Sequence, residues 1–92
     1  MGVTLTGHID VPDGRLAEIR AALTDHIALT RAEPGCLRFD VSESADVAGR
    51  FLVSEAFTDA NAFAAHQARA KASAWGRISA GLTRDYVIEG LD

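Results

Sequence analysis

The chain has 92 residues, 48% of them hydrophobic and 24% charged, which fits one globular domain over residues 1–92 and excludes a disordered chain. Nine Lys and Arg against 13 Asp and Glu leave a net charge of -4, so the basic footprint that nucleic acid or an anionic membrane surface requires is missing. The lone cysteine, Cys36, excludes an internal disulfide and a thiolate cluster, and the separated His8, His26 and His66 lack zinc-site spacing.

Val3 to Asp10 alternates apolar Val3, Leu5 and Ile9 with Thr4, Thr6, His8 and Asp10, the period of a half-buried strand. Gly7 falls on the apolar side and predicts a bulge or a close backbone approach. Val11 to Gly14 is turn chemistry, with Asp13 as the expected helix N-cap. Leu16, Ile19, Leu23, Ile27 and Thr30 then recur at spacings of three and four, so a helix is predicted from about Gly14 to Thr30. Pro34 disfavours helical geometry at Glu33 and ends it. Leu37 to Glu43 and Arg50 to Phe57 alternate as two strands around a polar loop, Ser44 to Gly49. Phe51, Val53, Glu55 and Phe57 share one face of the second of these. Thr58 and Asp59 offer a cap for a second helix, on which Phe63, His66 and Ala70 share a face. Ser73 to Ala80 reads as a further helical turn holding Trp75 and Ile78, stopped by Gly81, and Leu82 to Glu89 as a last strand.

The order β-α-β-β-α-β predicts an α+β, ferredoxin-like domain: a four-stranded antiparallel sheet with both helices on one face. The uncovered face is expected to carry an apolar patch too large for a soluble monomer, so a symmetric homodimer is expected. No run approaches the roughly 18 apolar residues of a membrane span, and Met1 to Asp10 lacks a basic stretch followed by an apolar block. The expected location is the cytoplasm.

Glu33-Pro34-Gly35-Cys36 after the first helix, followed by Phe51, Glu55, Phe57, Asp59, Ala62, Phe63 and His66 in their F-x-x-x-E-x-F-x-D-x-x-A-F-x-x-H order, resembles the antibiotic biosynthesis monooxygenase domain family. The resemblance runs from Thr4 to Ile88. It implies a dimeric α/β barrel and a relative of the cofactor-independent quinol monooxygenases, with no cofactor and no metal. The family also holds haem-degrading enzymes and signalling proteins, so activity has to be argued from the site.

His66 is the first candidate. Oxygenation without a cofactor requires the substrate to supply the electrons, hence its deprotonation to an electron-rich phenolate or carbanion. An imidazole in an apolar pocket suits that proton transfer. The bland alternative is a core histidine bonded to a backbone carbonyl or to Glu55. Glu55, mid-strand among apolar residues, is expected to need a partner. It either orients His66 as part of the catalytic pair or, the expected reading, forms a salt bridge with Arg38, Arg50 or Arg84.

Several oxygenases of the resembled kind hold a substrate oxygen with an Asn on the first strand. This chain has none there, so His8 or Thr6 would have to substitute, with His8 the candidate substrate-binding residue. Phe39, Phe57, Phe63, Trp75 and Tyr86 are candidates to line a flat aromatic pocket, or else simply core. Trp75 would be a lid over the pocket mouth, or packing at an edge, and Tyr86 a phenol donor. Cys36 reads as a buried hydrophobe rather than a nucleophile, His26 as a surface or rim residue, and Arg69 with Lys71 as no real basic patch. The leading reading is a monooxygenase acting on a small aromatic quinol or polyphenol. The alternatives are a non-catalytic dimeric module binding a small hydrophobic metabolite, and a haem binder or degrader with His66 as axial ligand.

Overall fold

The computed structural model describes residues 2–91. Its elements are β1 (Val3–Asp10), α1 (Leu16–Arg31) after a single tight turn at Asp13–Arg15, β2 (Cys36–Glu43), β3 (Arg50–Phe57), α2 (Ala60–Ala72), α3 (Ala74–Ile78) and β4 (Thr83–Glu89). The strands form one antiparallel sheet in the order β2-β3-β1-β4. This is the predicted α+β, ferredoxin-like arrangement. No helix among the described residues is long and apolar enough to cross a membrane.

The core forms where the two periodicities meet. Val3, Leu5 and Ile9 of β1 and Phe51, Val53 and Phe57 of β3 point to the helical layer, against Ile19 and Leu23 of α1 and Phe63 of α2. Phe57 is 1% exposed, and burying such a side chain stabilises the fold by about 1.5–3 kcal/mol. Asp59 caps α2 as predicted, its Oδ1 accepting from Ala62 N at 2.8 Å. Asp13 makes no side-chain cap for α1; it lies in the tight turn, and α1 begins three residues later.

Two glycines act through space. Gly7 has φ +153°, and a Cβ there would lie 2.0 Å from the Asp85 carbonyl oxygen. The register runs through Gly7 without a shift, so close approach of β4, not a bulge, is its reason; the irregularity falls instead between Cys36 and Arg38. Gly35 has no positive φ. A Cβ there would meet Ala62 Cβ at 2.3 Å, so this glycine lets the turn after α1 rest against α2.

The uncovered sheet face is more polar than expected. Leu52 and Val87 are exposed there at 45% and 60%. They occupy different cross-strand rows, one holding His8 and Asp85 and the other Ser54 and Thr6. Alternation along β1 puts threonines, a histidine and an aspartate on this face, which breaks up any continuous apolar patch.

Candidate functional site

His66 is brought inward by α2. It lies one turn after Phe63, and these two are the buried residues of that helix, because residues three apart share a face. Its ring sits 4.9 Å from Phe57 and 5.7 Å from Phe39, centroid to centroid. The imidazole is 4% exposed and lies between two carboxylates. Nδ1 faces Glu33 Oε1 at 3.1 Å, while Nε2 faces Glu55 Oε1 at 3.8 Å. Burial lowers its pKa below the ordinary histidine value, although Glu33 pulls the other way. The balance favours the neutral ring at pH 7.

Glu55 projects from β3 between Leu5 of β1 and Phe39 of β2. The expected salt bridge is not formed. Arg50 pairs with Asp10, Arg38 donates to Ser54 and Arg84 to Ser79. Strand alternation explains the first two, since Arg38 and Arg50 point to the opposite face of the sheet. Left without a cation, the carboxyl has its pKa pushed up to about 7, by burial first and by the charge of Glu33 second.

The two residues line a cleft of about 390 Å³ together with His26, Trp75, Ser79, Arg84 and Tyr86. Its walls come from all three helices and from β3 and β4. Burial raises the Tyr86 pKa, so its phenol keeps its proton at neutral pH. Trp75 stacks on His26 with centroids 5.0 Å apart. Of the predicted aromatics, Trp75 and Tyr86 line the cleft, Phe39 and Phe57 pack against His66, and Phe63 stands behind Phe57. His8 is not brought to this cluster. It lies on the opposite face of the sheet, 3.9 Å from Asp10, as does Thr6.

Three residues escaped the sequence reading. His26 is 5% exposed, not a rim residue: the buried positions of α1 are Ile19, Leu23, His26 and Thr30, a run of four-three-four spacings that takes in His26 rather than Ile27. Its pKa is lowered to about 4, chiefly by burial. Glu33 stands in the sequence only as the residue before Pro34, and Arg69 with Lys71 as no real basic patch. Arg69 Nε donates to Glu33 Oε2, and its Nη2 donates to the fully buried Thr30 hydroxyl at 2.9 Å. Thirty-six residues separate Glu33 from Arg69, so no local pattern announces the pair. Cys36 is half-buried rather than fully buried, and desolvation raises its pKa, which keeps it a thiol at neutral pH.

Three buried side-chain polar atoms have no hydrogen-bond partner among the described residues: His26 Nδ1, Glu55 Oε1 and Arg69 Nη1. His26 and Glu55 line the cleft, while Arg69 lies behind the His66 ring against Glu33. An unpaired buried polar group costs about 1–3 kcal/mol, so two of them in one cleft single it out as the candidate site.

The family model for antibiotic biosynthesis monooxygenases matches residues 2–77. The chain belongs to this family. A Nitrosomonas europaea protein whose name places it among these monooxygenases is similar at 27% identity and a TM-score of 0.81, over 97% of this chain and 88% of that one. A Caulobacter crescentus protein named for the same family gives 25% and 0.73, over 94% and 87%. SnoaB, a cofactor-independent oxygenase from Streptomyces nogalater solved in mutant form, shares the fold at 18% identity and a TM-score of 0.73, over 95% and 89%. No curated protein matches the chain. Membership in the antibiotic biosynthesis monooxygenase family supports a monooxygenase-like function, and the cleft at His66 is where this chain brings His26, Glu55 and His66 together.

Proposed function

We propose that this domain is a cofactor-independent monooxygenase that oxidises a small aromatic quinol or polyphenol with O2. The observation that carries the reading is the gap between His66 Nε2 and Glu55 Oε1. At 3.8 Å the two atoms are too far apart to bond each other. One ligand oxygen at about 2.8 Å from both would close an open triangle with ordinary hydrogen-bond lengths. A phenol placed there meets a neutral imidazole on one side and a carboxyl of pKa about 7 on the other.

In this reading His66 Nε2 takes the phenol proton and leaves an electron-rich phenolate in a partly apolar cleft. Glu55 in its protonated form donates to the same oxygen or to a second one, and the two titrate as a coupled pair. The phenolate reacts with O2 at a ring carbon. For a hydroquinone, one oxygen atom enters the ring, the other leaves as water, and the product is a hydroxyquinone. The substrate supplies all four electrons. Trp75 and Tyr86 offer a flat wall and a phenol donor for the ring. The name of SnoaB as a cofactor-independent oxygenase on this fold supports the reading.

A homodimer formed through the uncovered sheet face belongs to the same proposal, with Leu52 and Val87, exposed among polar neighbours, as its apolar contacts. Oxygen consumption with a panel of hydroquinones, using protein stripped of metal and flavin, tests the reaction. Wild type is expected to consume O2, and His66→Ala to lose about 10²–10⁴-fold in kcat. Equal rates would remove His66 from the chemistry. Because His66 is needed neutral, the acid limb of the rate profile is expected to bend below pH 6.5, the direction in which its pKa is displaced.

A further inference from the structure

The two carboxylates beside His66 stand on opposite sides of the ring. Glu55 lines the cleft. Glu33 does not; it lines a separate hollow at the turn after α1, together with Arg69, Pro34 and Gly35. Arg69 grips the Glu33 carboxylate, and Arg69 is itself held by Thr30, which is 0% exposed. The carboxylate is thus clamped behind the imidazole, at hydrogen-bond distance from Nδ1.

We propose that Glu33 is a positioning residue that holds the His66 proton on Nδ1 and so presents an unprotonated Nε2 to the cleft. A carboxylate accepts hydrogen bonds and cannot donate them. The neutral imidazole beside it must therefore place its one N–H toward Glu33, which leaves the other nitrogen as the acceptor. The inference deepens the reading of His66 as the base, and it rests on that reading only for its catalytic consequence. The tautomer itself is a property of the free protein. The other ionisable groups around the ring and its cleft are Arg69 and Lys71 on α2, Glu55 on β3, His26 on α1, and Arg84 and Tyr86 on β4. None of these is at hydrogen-bond distance from Nδ1.

Nitrogen-15 spectra of the histidine rings, recorded without substrate from pH 5 to 9, test this. In wild type, neutral His66 is expected as the Nδ1–H form. In Glu33→Gln the amide can both donate and accept, so the preference is expected to be lost and the His66 pKa to fall. Glu33→Asp is expected to restore the wild-type form. Where turnover is measurable, Glu33→Gln is expected to lower kcat about 10–100-fold, as misplacement of a reacting group does, with KM little changed. A wild-type His66 found as the Nε2–H form would overturn the proposal without any variant. So would a folded Glu33→Gln protein with an unchanged tautomer and titration. Absence of oxygenase activity would count against the functional reading and leave the tautomer result standing.

Discussion

Glu55 carries the sharpest consequence at the scale of single residues. Its pKa of about 7 lies above the 4.5 of a free glutamate, so folding favours its protonated form. The associated stability is fully present below pH 4.5 and is lost as pH rises through 7. The difference is about 3 kcal/mol at 1.36 kcal/mol per pH unit. Glu55→Gln, which keeps the shape and removes the charge, is expected to be more stable than wild type by up to that amount at pH 8, with the advantage gone below pH 4.5. Denaturant titrations at the two pH values check this. An equal difference at both would mean that the carboxyl is not desolvated as described. The need for a partner to Glu55 could be read from its apolar strand, but the partner could not. Arg38, Arg50 and Arg84 were all plausible in sequence, and only the strand faces and the Ser79 contacts show that each is used elsewhere.

At the scale of elements, α2 and the β1–β4 pairing place the chemistry. The Asp59 cap fixes the first turn of α2, one turn before Phe63 and two turns before His66. Asp59→Ala is expected to lower stability by about 1 kcal/mol, read as a shift in the denaturant midpoint with an unchanged slope. Gly7 lets β4 approach closely enough to bring Tyr86 to the cleft. Gly7→Ala would force a methyl against the Asp85 carbonyl and is expected to destabilise by about 2–3 kcal/mol or more. A neutral outcome in thermal melts would contradict this account of the glycine. These elements were legible because their signals are local: period-two alternation in β1 and β3, the Asp59 cap, the Pro34 stop. The face of α1 that is buried was legible only in part. A stripe through Ile27 and one through His26 differ by a single residue, and the stack with Trp75, 49 positions away, settles it.

At the scale of the whole molecule, two opposed titrations meet in one cleft. His26, neutral with a pKa of about 4, destabilises the fold as pH falls from 6.5 toward 4. Glu55 destabilises it as pH rises from 4.5 toward 7. The slopes cancel, so these two groups leave stability nearly flat between about pH 4.5 and 6.5. The mixed uncovered sheet face bears on assembly. Leu52→Asp is expected to shift a dimer toward monomer in light scattering, and a monomeric wild type at working concentration would overturn the proposed homodimer. The family and the fold could be read from the ordered motif between Glu33 and His66. The site could be read only as far as His66 and Glu55, because Glu33, Arg69 and His26 reach it through contacts that no spacing encodes. The central claim is oxygenation by protein side chains acting on a quinol. Mass spectrometry of the product formed under oxygen-18 gas, with metal- and flavin-free wild type and His66→Ala, tests it most directly. One labelled oxygen per product molecule, formed at a rate that falls with His66→Ala, is the predicted result. Product without label, or label incorporated equally by both proteins, would contradict it.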